Sequence, residues 1–197
     1  VPCGTAGLFD PKDCSGLHDP ARSMLGDAQA AWLDGQLRAN GAGQPEAAAW
    51  NLVCQSVVFS PFPIPVLGGR LNHDNWDGYP VARRRILDTL ADARTRGPVI
   101  LSGDIHQNWV AHVHRDPDDP ASPIVAPEFC VTSITTSSFG NFTAAEMMAM
   151  APHCVHADRH QRGYSLLQVT PQALTVQLRY VDIRSGAASP APRFEVR

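Results

Sequence analysis

The sequence predicts an α/β (α+β) domain in which sheet strands are layered against a few helices. Three observations carry this prediction. Short β-branched, apolar runs recur along the chain. Two amphipathic stretches of helical period separate the first of them, which argues for strands joined by helical crossovers. The last runs follow one another through short turns, which argues for antiparallel pairing. The 197 residues suffice for a substantial core, since a chain of this size hides roughly 70% of its unfolded surface.

Residues 1–22 read as an irregular loop, rich in Gly, Pro and Asp, that carries Cys3 and Cys14. Such a pair suits a small disulfide loop in an exported protein. Residues 23–197 read as the domain itself. Between Asp27 and Leu37, the residues Ala30, Leu33 and Leu37 fall at helical spacing with Trp32 beside them, and Asn40-Gly41-Ala42-Gly43 stops the helix. Trp50–Ser60 is apolar and β-branched, hence a strand, ended by Pro61, Pro63 and Pro65. Residues 61–80 form a long loop rich in Pro, Gly, Asn and Asp, and loops of this length are often functional.

Pro80 opens a second helix that runs to about Arg96. It turns Ile86, Leu87, Leu90 and Ala91 inward and Arg83, Arg84 and Arg85 toward water, and Gly97-Pro98 closes it. Val99–Ser102 is a short buried strand, Asn108–His114 a second, and Ile124–Ile134 holds a third around Phe129, Cys130 and Val131. Ala144–Met150 is a short helix. Gly163–Val169 and Leu174–Val181 form a hairpin turned at Thr170-Pro171-Gln172, and Phe194–Arg197 is an edge strand. Cys54 and Cys130 lie inside apolar runs and are expected to be buried.

The composition narrows function by exclusion. A formal charge of −3, with Lys12 the only lysine, leaves no basic footprint for nucleic acid. No apolar run approaches the roughly 20 residues needed to span a bilayer. There is no CxxC pair, no GxGxxG, no Walker loop and no Gly-x-Ser-x-Gly elbow. The hydroxyls of Ser102 and of the run Thr132–Ser138 are better read as satisfying backbone groups at strand ends.

The sharpest chemical signal is Leu101-Ser102-Gly103-Asp104-Ile105-His106. If the segment is extended, residues two apart point the same way. A carboxylate oxygen of Asp104 and an imidazole nitrogen of His106 then reach a common metal, at the end of a strand where sites in open α/β sheets lie. The simpler alternative is an Asp capping a turn with a chance His beside it. A second signal is His73-Asp74-Asn75-Trp76-Asp77-Gly78-Tyr79-Pro80, where Asp74 and Asp77 offer hard oxygen ligands. The alternative there is an ordinary Asp/Asn/Gly turn anchored by Trp76 and Tyr79. His153, His156, Asp158 and His160 read either as a metal patch or as a polar loop before a strand.

Taken in order, the segments say more than any one alone. They are Arg22-Ser-Met-Leu-Gly-Asp-Ala-Gln29 with Trp32-Leu33, then Trp50-Asn-Leu-Val53, then Asp74 to Pro80 with Arg83. Next come Leu101 to His106, Glu128-Phe-Cys-Val-Thr-Ser133, Pro152-His153 and Arg162-Gly163-Tyr164. This order resembles the PhoD-type alkaline phosphatases, exported members of the calcineurin-like metallophosphoesterase superfamily. The resemblance covers nearly the whole chain from about residue 22.

The resemblance implies part of a four-layer α/β/β/α sandwich and a phosphoesterase that uses Ca2+ and Fe3+. The substrates implied are small-molecule phosphate esters, diesters among them, in the acquisition of phosphate outside the cytoplasm or in the periplasm. It implies metal-ligand roles for Asp104, His106, Asp74 and Asp77. Tyr79 and Arg83 are implied to orient the substrate or the loop, and His73, Asn108 and His153 to act in the site's outer layer. Ala151 departs from the family pattern, which has Asn before Pro152-His153. The family's earlier ligands (an Asp, an Asp/Asn pair, a cysteine and a tyrosine) have no counterpart here. The chain, which starts at Val1, is therefore expected to be a C-terminal portion that lacks the N-terminal half of the same domain and has little activity alone. A non-catalytic binding module on the same fold is the competing expectation.

Overall fold

The computed structural model describes residues 3, 7–62, 70–138, 142–182, 185, 188–189 and 192–196. Pro63 and Pro65, expected to end a strand, lie outside these residues, as does Arg197. Along the chain the elements are β1 (Leu8–Phe9), α1 (Asp27–Ala39), β2 (Asn51–Cys54), β3 (Leu71–Asn72), α2 (Pro80–Asp92), β4 (Pro98–Ser102) and β5 (Asn108–His114). They continue with β6 (Ile124–Cys130), α3 (Ala144–Met150), β7 (Cys154–Asp158), β8 (Arg162–Val169), β9 (Leu174–Val181), β10 (Ala188–Ser189) and β11 (Arg193–Val196).

Two sheets carry the domain. The first has the order β2-β4-β6-β5-β7. Its strands β2, β4 and β6 are parallel, and β5 and β7 complete it antiparallel. In the second, β9 is central: β8 pairs one edge, and β10 and β11 pair the other, all antiparallel. Gly163 is required where β8 meets β9. Its φ is +153°, and a Cβ there would stand 1.8 Å from the Arg179 carbonyl oxygen, a clash that only glycine avoids.

The sheets bury one face of each against the other. Val99, Val110 and Phe129 of the first sheet meet Leu174, Val176, Leu178 and Tyr180 of β9. On the opposite face of the first sheet, Ile100, Val113 and Ala126 pack on Leu87 of α2 with Phe59 and Trp76. Beside them, Trp109, Ala111 and Cys130 pack on Met147 of α3 with Phe62 and Phe142. The described residues therefore form a helix/sheet/sheet stack, three of the four layers expected. The outer face of the second sheet leaves Tyr164 and Leu166 exposed.

Local sequence accounts for the helix ends. Pro80 is the first residue of α2, where its missing N–H costs nothing. Thr143 and Glu146 form a reciprocal capping box on α3. Within the segment read as an irregular loop, residues 3 and 7–22 are more ordered than expected. Cys3 and Cys14 are joined, β1 pairs β3, and Phe9 and Leu17 pack with the two cysteines.

Four expectations are corrected. The strand predicted over Trp50–Ser60 ends at Cys54. Beyond it the apolar residues are buried in a loop whose Phe59 and Ser60 N–H groups donate to the Glu128 carboxylate, at 2.7 and 2.8 Å, rather than to a neighbouring strand. Cys54 is exposed, because β2 pairs only β4 and stands at the sheet edge. Arg83 is buried, on the same helix face as Leu87 and Leu90. Finally, Cys154–Asp158 is a strand, where a polar loop was expected.

Candidate functional site

The three parallel strands all end at one edge of the first sheet, at Cys54, Ser102 and Cys130. The antiparallel register places the start of β5 and the end of β7 at the same edge, with Asn108 opposite Asp158. The connections after β2, β4, β6 and β7 therefore gather there, the usual place for chemistry in open α/β sheets.

Asp104 and His106 stand in the β4–β5 connection at this edge. The segment is not extended, which corrects the geometric premise drawn from sequence. Asp104 has φ 79° and His106 φ 55°, left-handed conformations that are uncommon for residues with a side chain and are enriched in functional sites. Asp104 is exposed, His106 half-buried and Ile105 between them buried. Ile105 packs among Trp109, Cys130 and Phe142, so it anchors the loop while its neighbours turn outward. Among the described residues, neither the Asp104 carboxylate nor the His106 imidazole makes a hydrogen bond or ion pair.

The loop beneath them is fixed. The Cys130 thiol donates to the Gly103 carbonyl (3.2 Å), and burial pushes that thiol's pKa well up, so it stays a neutral donor. Val131 N–H donates to the Ser102 carbonyl (3.0 Å), and Thr132 N–H to Asn108 Oδ1 (3.3 Å). Two fully buried amide nitrogens next to the loop, Gln107 Nε2 and Asn108 Nδ2, have no partner among the described residues. Ser102 is buried and its hydroxyl donates to Glu128 (2.5 Å). Among the described residues no imidazole pairs with it, as a serine nucleophile would require.

The second sequence motif has a different character. Asp77 is 7% exposed, and both of its oxygens are occupied. Arg83 Nη1 donates to Oδ1 at 2.7 Å and Phe62 N–H to Oδ2 at 3.1 Å. Arg83 also donates to the Phe59 carbonyl (3.2 Å). Trp76 Nε1 donates to Gln55 Oε1 (2.9 Å), and the Arg22 guanidinium lies 4.9 Å over the Tyr79 ring. These contacts fasten the helix entry to the buried 55–62 loop. Asp74, by contrast, is outward, its side chain 69% exposed and paired to His73 Nδ1 at 2.8 Å.

The histidine group resolves into separate environments. His153 Nε2 donates to the Pro61 carbonyl (2.8 Å) and its ring meets Trp109 edge-on (5.8 Å). Burial holds its pKa below the ordinary imidazole value. His156 faces the second sheet, at 3.2 Å from the Tyr180 hydroxyl, and Asp158 Oδ1 accepts from the His160 and Gln161 amides. His153 is bonded beside His112, four residues along β5 from Asn108, or about 14 Å at the usual strand rise. It is not adjacent to His106.

A protein-bound catalytic metal generally takes three or more protein ligands. Among the described residues no group of three or more His, Cys, Asp or Glu side chains is arranged to hold one. Asp104 and His106 have the right donor chemistry, but the described residues do not complete a metal site. Glu128 and Arg162 stand in the sequence motifs without an assigned role; in the structure the buried Glu128 carboxylate accepts from the Phe59 and Ser60 amides, and Arg162 Nη1 donates to the His106 carbonyl (3.3 Å).

The family model for PhoD-like phosphatases matches residues 6–178. Alkaline phosphatase D of Bacillus subtilis (strain 168) is 30% identical over 188 residues, covering 92% of this chain and 31% of that protein. A solved structure of PhoD superposes with a TM-score of 0.78 at 28% identity, covering 96% of this chain and 36% of that one. The chain thus spans about a third of the length of these relatives.

Proposed function

This chain belongs to the PhoD-like phosphatase family, and from that premise we propose that it is the C-terminal portion of a metal-dependent phosphoesterase. In this reading residues 23–197 belong to the catalytic domain, and Asp104 and His106 are two of its metal ligands. The remaining ligands come from the N-terminal half of the same domain. The observation that carries the reading is the β4–β5 loop. It presents a carboxylate and an imidazole, both without other partners among the described residues, at the edge where the parallel strands end.

The substrates are small phosphate esters, monoesters or diesters, and the metals Ca2+ and Fe3+ follow from the family resemblance alone. In such enzymes a bound metal supplies Lewis acidity and lowers the pKa of water. What this chain contributes is a fixed loop and two donor atoms. Asn108 belongs to the outer layer, because its side chain ties the loop to Thr132. Asp77 serves through Arg83, as a buried strut beneath the helix entry. Asp74, His73, Tyr79 and His153 are assigned to the loops that support the site. Export to an oxidising compartment fits the Cys3–Cys14 bridge, and phosphate acquisition is the role that matches it.

The test is hydrolysis of nitrophenyl phosphate and its diester by the purified 197-residue chain supplied with iron and calcium. The expected result is little or no turnover, because two ligands rarely retain a catalytic metal. Turnover at enzyme-like rates that is abolished by Asp104→Ala would show the chain to be sufficient. Turnover indifferent to both Asp104→Ala and His106→Ala would overturn the assignment of the site.

A further inference from the structure

Arg162 opens β8 in the second sheet and is only 8% exposed. Among the described residues it pairs with no carboxylate. A buried guanidinium is costly unless its N–H groups meet acceptors. The two N–H groups of Nη1 are shared among four acceptors: the carbonyls of Gln161 (3.0 Å) and Arg159 (3.1 Å) and, at longer range, the His106 carbonyl (3.3 Å) and Thr132 Oγ1 (3.3 Å). The first two belong to the turn that leads into β8. The other two belong to the first sheet, one in the β4–β5 loop and one just after β6. Thr132 is itself held from both sides, its hydroxyl donating to the Gln161 carbonyl (3.0 Å) and its N–H to Asn108 Oδ1 (3.3 Å).

One cation therefore gathers the connections after β4, β6 and β7. The left-handed backbone at Asp104 and His106 persists only where the surroundings over-determine it. Neither side chain supplies that restraint, since neither makes a hydrogen bond among the described residues. Cys130 holds the loop at Gly103, and Arg162 holds it three residues later. We infer that Arg162 is the positioning residue of the β4–β5 loop. It fixes the His106 carbonyl, and with it the direction in which the imidazole leaves the backbone. An Arg-to-carbonyl link between sheets also makes the loop sensitive to how β8 sits on the first sheet. The importance of this device for hydrolysis rests on the proposed role of His106; the structural claim does not.

The test is solution NMR of the isotope-labelled 197-residue chain. Backbone shifts and three-bond HN–Hα couplings of Asp104 and His106 report their φ directly. Arg162→Gln is expected to abolish the left-handed signature at His106 and broaden residues 103–107, while the resonances of α2 and β9 stay in place. Arg162→Lys, which keeps a charged donor, is expected to restore part of it. An unchanged signature at His106 in a folded Arg162→Gln chain overturns the inference, whatever the loss in melting temperature. Should that variant fail to fold, Thr132→Val removes the acceptor beside the guanidinium. The signature then weakens if the inference holds, and stays intact if it is wrong. Manganese titration of His106→Ala separates the two readings. Binding that survives this change removes His106 as a ligand and leaves the Arg162 result standing.

Discussion

The β4–β5 loop and the Asn75–Arg83 segment each set an aspartate beside a glycine, and in sequence both aspartates are read as metal ligands. The structure separates them by what already satisfies their polar atoms. Asp77 is buried and gives both oxygens to the chain's own donors, Arg83 and the Phe62 amide. Asp104 and His106 are held by their backbone, in a conformation L-residues avoid, and among the described residues their side chains make no hydrogen bond or ion pair. A carboxylate whose lone pairs are spent is a strut. One that the fold presents at some conformational cost, without a partner, is a candidate ligand.

This contrast is sharpest in stability. Asp77→Ala leaves Arg83 buried without its anion, and removing one partner of a buried pair costs about 3–5 kcal/mol. Urea denaturation is expected to show that loss. A cost near that of a surface substitution would mean that Asp77 is not a strut and would reopen it as a ligand.

Acid probes two partly buried imidazoles, His153 at the Pro61 carbonyl and His156 facing the second sheet. Burial holds the His153 and His156 imidazoles below their ordinary value near 6.5. The unfolded chain therefore takes up protons first as pH falls below about 6.5, and stability is lost through that window. It is fully present above it. Thermal melts across pH are expected to show the fall, and His153→Gln to flatten it. A slope unchanged in that variant would place the titration elsewhere.

The loop should behave in the opposite sense to Asp77. Asp104→Gly removes a strained left-handed residue and is expected to stabilise the chain by about 1 kcal/mol or less, even as it removes a proposed ligand. A loss of stability would show that the Asp104 side chain is structural after all. Smallest of all, Asp74→Ala at an exposed position is expected to fall within about 0.5 kcal/mol of the parent in the same denaturation assay.

Much of this was legible in the sequence where period and chemistry agreed. The spans of β5 and α3, the β8–β9 hairpin and the start of α2 at Pro80 follow from alternation, capping and turn residues. β7 was hidden because its inward positions, Cys154 and Ala157, are small, while His153, His156, Asp158 and His160 dominate the reading. The run after Cys54 looked like a longer strand because burial, not pairing, demands apolar residues there. What satisfies its backbone is Glu128, some 70 residues away in sequence, and no local pattern announces that contact. Arg83 did carry a signal: it shares a helix face with Leu87 and Leu90, where a solvated arginine does not belong. The role of Arg162 depends on two sheets meeting, so it could be read only from the fold.

The most direct test of the central contrast is a titration of the 15N-labelled chain with Mn2+, a paramagnetic ion that accepts oxygen and imidazole ligands. The account predicts selective broadening of Asp104, Ile105 and His106, abolished by His106→Ala, with Asp77 and Arg83 unmoved. Broadening centred instead on Asp74 and Asp77, and indifferent to His106→Ala, would contradict it.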